Sequence, residues 1–258
     1  MMRAVILAGG IGSRISEETH IKPKPMIEIG NRPIIWHIMK HLSFFGFKDF
    51  IILCGYKSEY IKDYFLNYAY NQHDIHINLK NKKTTIIDRK KENWSISLLN
   101  TGDNTATGGR LRYLKKYLKK NESFLLTYGD GLSDINIKNL LSIHKKNPNK
   151  VIISAVQPVG RFGAITINKN NIVEDFLEKP KGDGHWVNGG FFIVNKTDID
   201  LVKSEEVAWE DYPLKFLSKQ NRLIAYKHPG FWKAMDTLSD KKILENLWNT
   251  NSAPWKNW

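Results

Sequence analysis

Apolar positions recur along this chain in two rhythms. Short unbroken runs read as strands buried on both faces: Ala4 to Leu7, Asp49 to Cys54, Phe124 to Tyr128 and Val151 to Val156. Between them the spacing is helical. Ile35, Ile38, Met39, Leu42 and Phe45 share one face, after a start at Asn31-Arg32-Pro33 and before a stop at Gly46. Ser58 to Tyr68 carries aromatics at helical spacing, and Ile137 to Lys145 repeats the pattern. This β-α-β-α alternation predicts a parallel sheet covered by helices. The pattern weakens from Ala69 to Trp94, where polar and β-branched residues alternate around Asn81-Lys82-Lys83, so an excursion containing a hairpin is expected. Ser95 to Asn100 resumes a strand, Thr101 to Thr105 is turn-rich, and Thr107-Gly108-Gly109-Arg110 opens a helix over Leu111 to Leu118.

The second half changes character. Gly163 to Ile167, Ile172 to Leu177 and Gly190 to Val194 read as strands with short links, and Pro213 to Leu217 and Thr237 to Trp248 as helices. The tail, Ala253-Pro254-Trp255-Lys256-Asn257-Trp258, is aromatic enough to pack. The expected architecture is one α/β domain with a Rossmann-like, mostly parallel sheet flanked by helices. The α/β half would span residues 1–159, and a smaller lobe with the C-terminal helix would span 160–258.

Composition narrows the partners. The 258 residues can bury a full core, and no run approaches the roughly 20 apolar residues of a membrane span. The N-terminus enters a strand directly, so no secretory leader is expected. A single cysteine, Cys54, excludes an internal disulfide framework and fits a cytoplasmic protein, where it reads as a small apolar residue ending a strand. Net charge is +13, which suits nucleic acid, an anionic membrane or anionic small substrates, but the lysines are scattered and read mostly as a solvated basic surface, and no nucleic-acid-binding motif is present. A basic nucleic-acid-binding protein stays as the rival from another class.

The densest chemistry lies in Leu7-Ala8-Gly9-Gly10-Ile11-Gly12-Ser13-Arg14, with Lys22-Pro23-Lys24-Pro25 behind it. Glycines let backbone N–H groups approach phosphate oxygens, and Arg14 and Lys24 add charge. A dinucleotide fingerprint would need a third glycine and an acid at the tip of the second strand, and neither is present, which disfavours a nicotinamide-dependent oxidoreductase. A Walker loop would need Gly-Lys-Ser/Thr after the glycines, which is also missing. Gly129-Asp130-Gly131 stands at the carboxyl end of a strand, where open parallel sheets bind ligands. Asp236, before the last helix, would alone read as a helix cap; together with Asp130 it supplies the paired carboxylates that Mg²⁺ takes alongside substrate phosphates. Glu178-Lys179-Pro180 puts a lysine in a loop, and Asn188-Gly189-Gly190 suggests close approach to the backbone.

Taken together these segments resemble the sugar-1-phosphate nucleotidyltransferases over essentially the whole chain. Gly160-Arg161-Phe162-Gly163 is one piece of it, and Thr101-Gly102-Asp103 with Thr107 to Arg110, Lys181-Gly182-Asp183-Gly184, His228 to Trp232 and the Ala-Pro-Trp-Lys tail are similar to the cytidylyl branch. The resemblance makes residues 1–159 the nucleotide-binding half and 160–258 the sugar-phosphate-binding lobe. Ser13 replaces the usual threonine and keeps the hydroxyl. The resemblance implies in-line attack of α-D-glucose 1-phosphate on the α-phosphorus of CTP, giving CDP-glucose and diphosphate for cell-surface polysaccharide such as O-antigen or lipopolysaccharide. It implies that Gly9, Gly10 and Gly12 cradle the triphosphate, with Leu7, Ala8, Ile11, Ser13 and Gly129 around the nucleotide. Arg14 would neutralise the departing diphosphate and Lys24 the phosphates at the reacting centre. Asp130 and Asp236 would hold Mg²⁺, Lys179 would grip the sugar phosphate, and Glu178, Asn188 and Gly189 would meet the sugar. Arg110, helped by Thr105, could read cytosine, which offers acceptors where uracil has an N–H. A homo-oligomer larger than a dimer, with a hexamer in view, is implied as well, its contacts sought in the Ala69–Trp94 excursion and the tail. The runner-up is a sister enzyme using UTP, dTTP or another sugar phosphate.

Overall fold

The computed structural model describes residues 2–87, 92–160 and 162–258. Arg161, part of one segment of the family resemblance, lies outside the described residues. Seven strands build the central sheet: β1 (Ala4–Ala8), β2 (Asp49–Cys54), β3 (Ser95–Asn100), β4 (Ser123–Tyr128), β5 (Val151–Val156), β6 (Val187–Asn195) and β7 (Leu223–His228). Their order is β7-β5-β6-β4-β1-β2-β3, and β6 alone runs antiparallel to its neighbours. The mostly parallel α/β sheet expected from the alternation is therefore present. Residues after 160 return to it through β6 and β7, so both parts of the chain share one sheet.

Six helices pack on the sheet: α1 (Ile34–Phe44), α2 (Ser58–Leu66), α3 (Thr107–Leu114), α4 (Ile137–Lys146), α5 (Tyr212–Lys219) and α6 (Leu238–Asn249). Because strand side chains alternate, β1 divides its residues between two cores. Ala4, Ile6 and Ala8 join Ile35, Leu42, Leu140 and Leu244 on one face, while Val5 and Leu7 join Leu111, Leu114 and Leu217 on the other. This two-sided burial is why β1 reads as an unbroken apolar run. Helix α2 ends earlier than its aromatics suggest, since the chain breaks at Asn67 before a short helix, Tyr68–Gln72. Helix α3 begins at Thr107, four residues before the apolar run that announces it.

Two pairings depend on contacts that the local pattern does not carry. Strand β7 pairs with β5 at the sheet edge, and its mixed Leu-Ile-Ala-Tyr-Lys-His sequence gives no clear alternation. Gly131–Ser133 pairs with Trp232–Ala234 across about a hundred residues, in strands too short to show a period. Besides the short pairing of Glu28–Ile29 with Arg32–Pro33, two longer hairpins stand outside the sheet. Ile75–Asn78 with Lys83–Ile86 falls in the expected excursion, and Ala164–Ile167 pairs with Val173–Leu177. No helix among the described residues is long and apolar enough to cross a membrane.

The tail packs on its own chain. Trp255 is fully buried and stacks on Phe231. Its indole donates to His37 Nδ1 over 3.3 Å, so His37 Nε2 carries the proton it gives to the Ile29 carbonyl at 2.8 Å. His41 on α1 similarly meets the Ile135 carbonyl and the Asn257 amide. Burial pushes both imidazoles down to about 4. The unfolded chain takes up these protons below about 6.5, the ordinary histidine value, and the native state does so only near 4. Native stability is thus fully present above pH 6.5 and lost as pH falls. Between pH 7.5 and 5, before most carboxylates titrate, the free energy of unfolding in urea is expected to drop by about 2 kcal/mol for each of the two imidazoles. An unchanged value at pH 5 would contradict the burial of neutral histidines under the tail.

Candidate active site

Register brings the site together. Ala8 lies beside Cys54, Cys54 beside Asn100, and Leu7 beside Tyr128, so four strands end along one edge. The loops leaving those ends begin at Gly9, Gly55, Thr101 and Gly129, the position where open parallel sheets hold ligands. They enclose a cleft of about 360 Å³. Of the residues expected around a nucleotide, Leu7, Ala8, Gly9, Gly10, Gly12, Arg14, Lys24, Thr105, Arg110 and Gly129 line it, and so does Asp130. Ile11 and Ser13 belong to the same loop but do not line the cleft: Ile11 is exposed, and Ser13 starts a single 3₁₀ turn to Ile15.

The glycines of the loop have different reasons. Gly12 holds φ +70°, and a Cβ there would meet Thr19 Cγ2 at 2.8 Å and Lys24 Cβ at 3.2 Å. A Cβ on Gly9 would lie 2.1 Å from Arg110 Nη1. Gly10 has nothing within 4 Å of where its Cβ would stand, so the space beside it is open. Behind the loop, Thr19 Oγ1 donates to the Gly12 carbonyl, the Tyr56 hydroxyl donates to the Thr19 carbonyl, and Lys57 donates to the Ile21 carbonyl. These contacts anchor the loop to the end of β2.

Arg110 is buried and its terminal N–H groups are taken. Nη2 donates to the carbonyls of Gly9 at 2.8 Å and Asp103 at 3.2 Å. Nη1 donates to Thr101 Oγ1 at 2.6 Å and to the carbonyls of Gly102 at 2.7 Å and Cys54 at 3.2 Å. Burial lowers its pKa, opposed by the Asp103 carboxylate. The guanidinium fork expected to face a base thus ties together the ends of β1, β2 and β3. Thr105 donates to the Thr101 carbonyl and closes the same wall.

The charged centre lies at the other end of the cleft. Lys24 is buried, and its ammonium touches Asp130 Oδ2 and Asp236 Oδ1, both at 2.6 Å. Arg14 Nη1 donates to the second Asp236 oxygen at 2.8 Å. Burial pulls the Lys24 pKa down, but Asp130 and Asp236 outweigh it, and the pKa is raised overall. The short ribbon explains how the two acids meet: Gly131 pairs with Ala234, and the Met235 N–H donates to the Asp130 carbonyl at 2.9 Å. Asp236 is not a helix cap. Thr237 caps α6 reciprocally with Asp240, which leaves the Asp236 carboxylate for the cleft. Two carboxylate oxygens converging on one cation are a donor set that fits Mg²⁺, which needs one or two carboxylates and takes its other ligands from water and phosphate. Among the described residues no group of three or more acidic, histidine or cysteine side chains gathers as a metal cage. Cys54 is buried, and burial pushes its thiol up to about 12, which suits a packing role.

The expected sugar-side residues are less unified. Asn188, on β6, donates to the Tyr128 hydroxyl at 3.1 Å, and Tyr128 lines the cleft. Gly189 packs close to Ser154, and its carbonyl accepts from the Trp232 indole at 2.7 Å. Glu178 and Lys179 follow the exposed hairpin, 3.5 Å apart, with Lys179 at φ +46°, and no hydrogen bond among the described residues joins them to the cleft. Glu210, whose carboxylate accepts from both Tyr128 and Thr107, was not anticipated. It sits outside any motif, in a turn before α5, and nothing short of the folded chain brings it to β4.

This fold and cleft define a nucleotide-binding transferase, and the chain belongs to the nucleotidyl transferase family, whose model matches residues 3–240. Full-length relatives place it among the glucose-1-phosphate cytidylyltransferases. It is 50% identical over 257 residues, covering all of both chains, to glucose-1-phosphate cytidylyltransferase of Salmonella typhimurium. It is 40% identical over 258 residues, again covering both chains fully, to the probable glucose-1-phosphate cytidylyltransferase of Bacillus subtilis. Two solved structures share the fold. HddC from Yersinia pseudotuberculosis complexed with GMP-PN has a TM-score of 0.69 at 22% identity, over 96% of this chain and 100% of that one. UDP-glucose pyrophosphorylase complexed with UDP-glucose has a TM-score of 0.68 at 18% identity, over 97% and 99%.

The open space beside Gly10 gives a direct test of the cleft. Gly10→Ala adds a methyl group that meets no protein atom, so its melting temperature is expected to stay within about 2 °C of the parent. Its nucleoside triphosphate affinity, measured by calorimetric titration, is expected to fall at least about tenfold, because the methyl group occupies the path of the phosphates. Unchanged affinity would remove the loop from triphosphate binding.

Proposed function

We propose that this protein transfers a cytidylyl group from CTP to α-D-glucose 1-phosphate, releasing diphosphate and forming CDP-glucose. The single observation that carries the reading is the convergence of Arg14, Lys24, Asp130 and Asp236 at the end of the glycine-lined cleft, in a chain half identical to enzymes named for this reaction. Gly9, Gly10 and Gly12 cradle the triphosphate with backbone N–H groups. Arg14 neutralises the departing diphosphate and Lys24 the phosphates around the reacting centre. Asp130 and Asp236 are the residues that would hold Mg²⁺, which supplies charge neutralisation and alignment of the phosphates. Lys179 grips the sugar phosphate, and Glu178, Asn188 and Gly189 meet the sugar. No covalent enzyme intermediate is needed, so the protein's work is positioning two anions and screening their repulsion. At about 4 Å, unit charges interact by roughly 4 kcal/mol at an effective dielectric near 20, enough that each cation is worth orders of magnitude in rate.

Arg110 and Thr105 bound the base end of the cleft. Arg110 contacts cytosine by giving up one of its backbone acceptors, and it holds both walls of the pocket whether or not base is present. The product is a precursor for cell-surface polysaccharide such as O-antigen, made in the cytoplasm. Assembly into a homo-oligomer larger than a dimer is supported by apolar side chains on both hairpins, including Ile77, Ile165, Phe176 and Leu177, which are at least half exposed. The aromatic tail is packed on its own chain, which leaves the hairpins as the surfaces offered.

Diphosphate release is the test, measured with glucose 1-phosphate and CTP, UTP, dTTP or GTP in turn. CTP is expected to be used in clear preference, and faster turnover with UTP or dTTP would replace this reading with that of a sister enzyme. Arg110→Ala is expected to raise the KM for CTP at least about tenfold and to narrow the preference over UTP. An unchanged preference would take Arg110 out of base choice and leave it the role of wall.

A further inference from the structure

Glu210 links the two walls of the cleft, and the hydrogen bonds around it have one consistent direction. One carboxylate oxygen accepts from the Tyr128 hydroxyl and the other from Thr107 Oγ1. A carboxylate has only lone pairs, so both hydroxyls spend their protons on it. The Tyr128 oxygen is then left as an acceptor, and Asn188 Nδ2 donates to it at 3.1 Å. The other end of the Asn188 amide is fixed too, because the Gly190 N–H donates to its Oδ1 at 2.9 Å. Among the described residues no acceptor takes the second Asn188 Nδ2 N–H, on a side chain that is half-buried rather than enclosed. On the opposite side, Thr107 accepts the Trp209 N–H at 2.9 Å and opens the helix that carries Arg110.

We propose that Glu210 is a positioning residue that sets the hydrogen-bond polarity of Tyr128 and Asn188, so that Asn188 presents an N–H to a hydroxyl oxygen of the sugar phosphate. The inference rests on the reading of Asn188 as a sugar contact. It makes that part of the pocket a donor, selective for a substrate oxygen that can accept there. Glu210 itself touches no substrate and acts through Tyr128.

Glu210→Gln preserves shape, but its amide nitrogen has to donate to one of the two hydroxyls, and one of them must reverse. With CTP saturating, the KM for glucose 1-phosphate is expected to rise about tenfold, the worth of one misdirected hydrogen bond, while the KM for CTP and the melting temperature change little. Tyr128→Phe, which removes the relay without touching Glu210, is expected to raise the same KM comparably. Adding Glu210→Gln to it should then cost no more than about twofold, since the relay is already broken. Asn188→Ala separates the two layers of the argument. If it raises this KM and Glu210→Gln does not, or if Glu210→Gln and Tyr128→Phe act additively, the polarity relay is overturned. If Asn188→Ala leaves the KM unchanged, the sugar contact falls and the proposal falls with it. A purely structural role for Glu210 would instead lower the melting temperature and leave the KM where it was.

Discussion

The Lys24 ammonium touches two carboxylates that lie 106 and 212 residues away along the chain. Much of the site's geometry follows from that contact. Lys24 is buried, so it needs partners, and an unpaired buried charge costs several kcal/mol. Asp130 reaches it from the end of β4 and Asp236 from the segment before α6, joined by a ribbon of three residues on each side. Arg14 lies on the same Asp236 carboxylate. These two cations and two acids therefore satisfy one another in the resting protein. Under the proposed function, phosphates arriving at Lys24 and Arg14 would release the same acids for a metal, because each new partner would carry the charge that the old one supplied.

A second constraint sits at the other end of the cleft. Parallel register aligns the ends of β1, β2 and β4, and Arg110 reaches across to the backbone at the ends of β1, β2 and β3. Its donors add to the bonds that the Gly9 and Cys54 carbonyls already accept from the Tyr56 and Thr101 N–H groups, and they hold the Gly102 and Asp103 carbonyls as well. Gly9 lacks a Cβ because the guanidinium occupies that space. The glycine loop is thus shaped from within by Arg110, and the Arg110 end is tied to three strand ends while the space beside Gly10 stays open.

How much of this the sequence carried depends on whether the deciding contact was local. The strands Ala4–Ala8 and Asp49–Cys54 and the helix Ile34–Phe44 were legible because burial writes its period into consecutive residues. The glycine loop, Lys24, Asp130 and Asp236 were legible as chemistry, and the fold brings them together. The ribbon Gly131–Ser133 with Trp232–Ala234 was not legible, for three-residue strands carry no period. Asp236 could be taken for a helix cap until Thr237 and Asp240 were seen to fill that role. Glu210 gave no signal, since a lone acid in a turn looks like surface. Arg110 was singled out as a reader of cytosine, but its backbone acceptors come from three separate segments, and only folding reveals them.

The central claim is that Asp130 and Asp236 form one functional pair around Lys24. The most direct measurement is diphosphate release by Asp130→Asn and Asp236→Asn with CTP, Mg²⁺ and glucose 1-phosphate, on protein shown by circular dichroism to be folded. Each substitution keeps the size of the side chain and removes its charge, and each is expected to lower kcat/KM by at least about a thousandfold. Full activity in both variants would contradict the account.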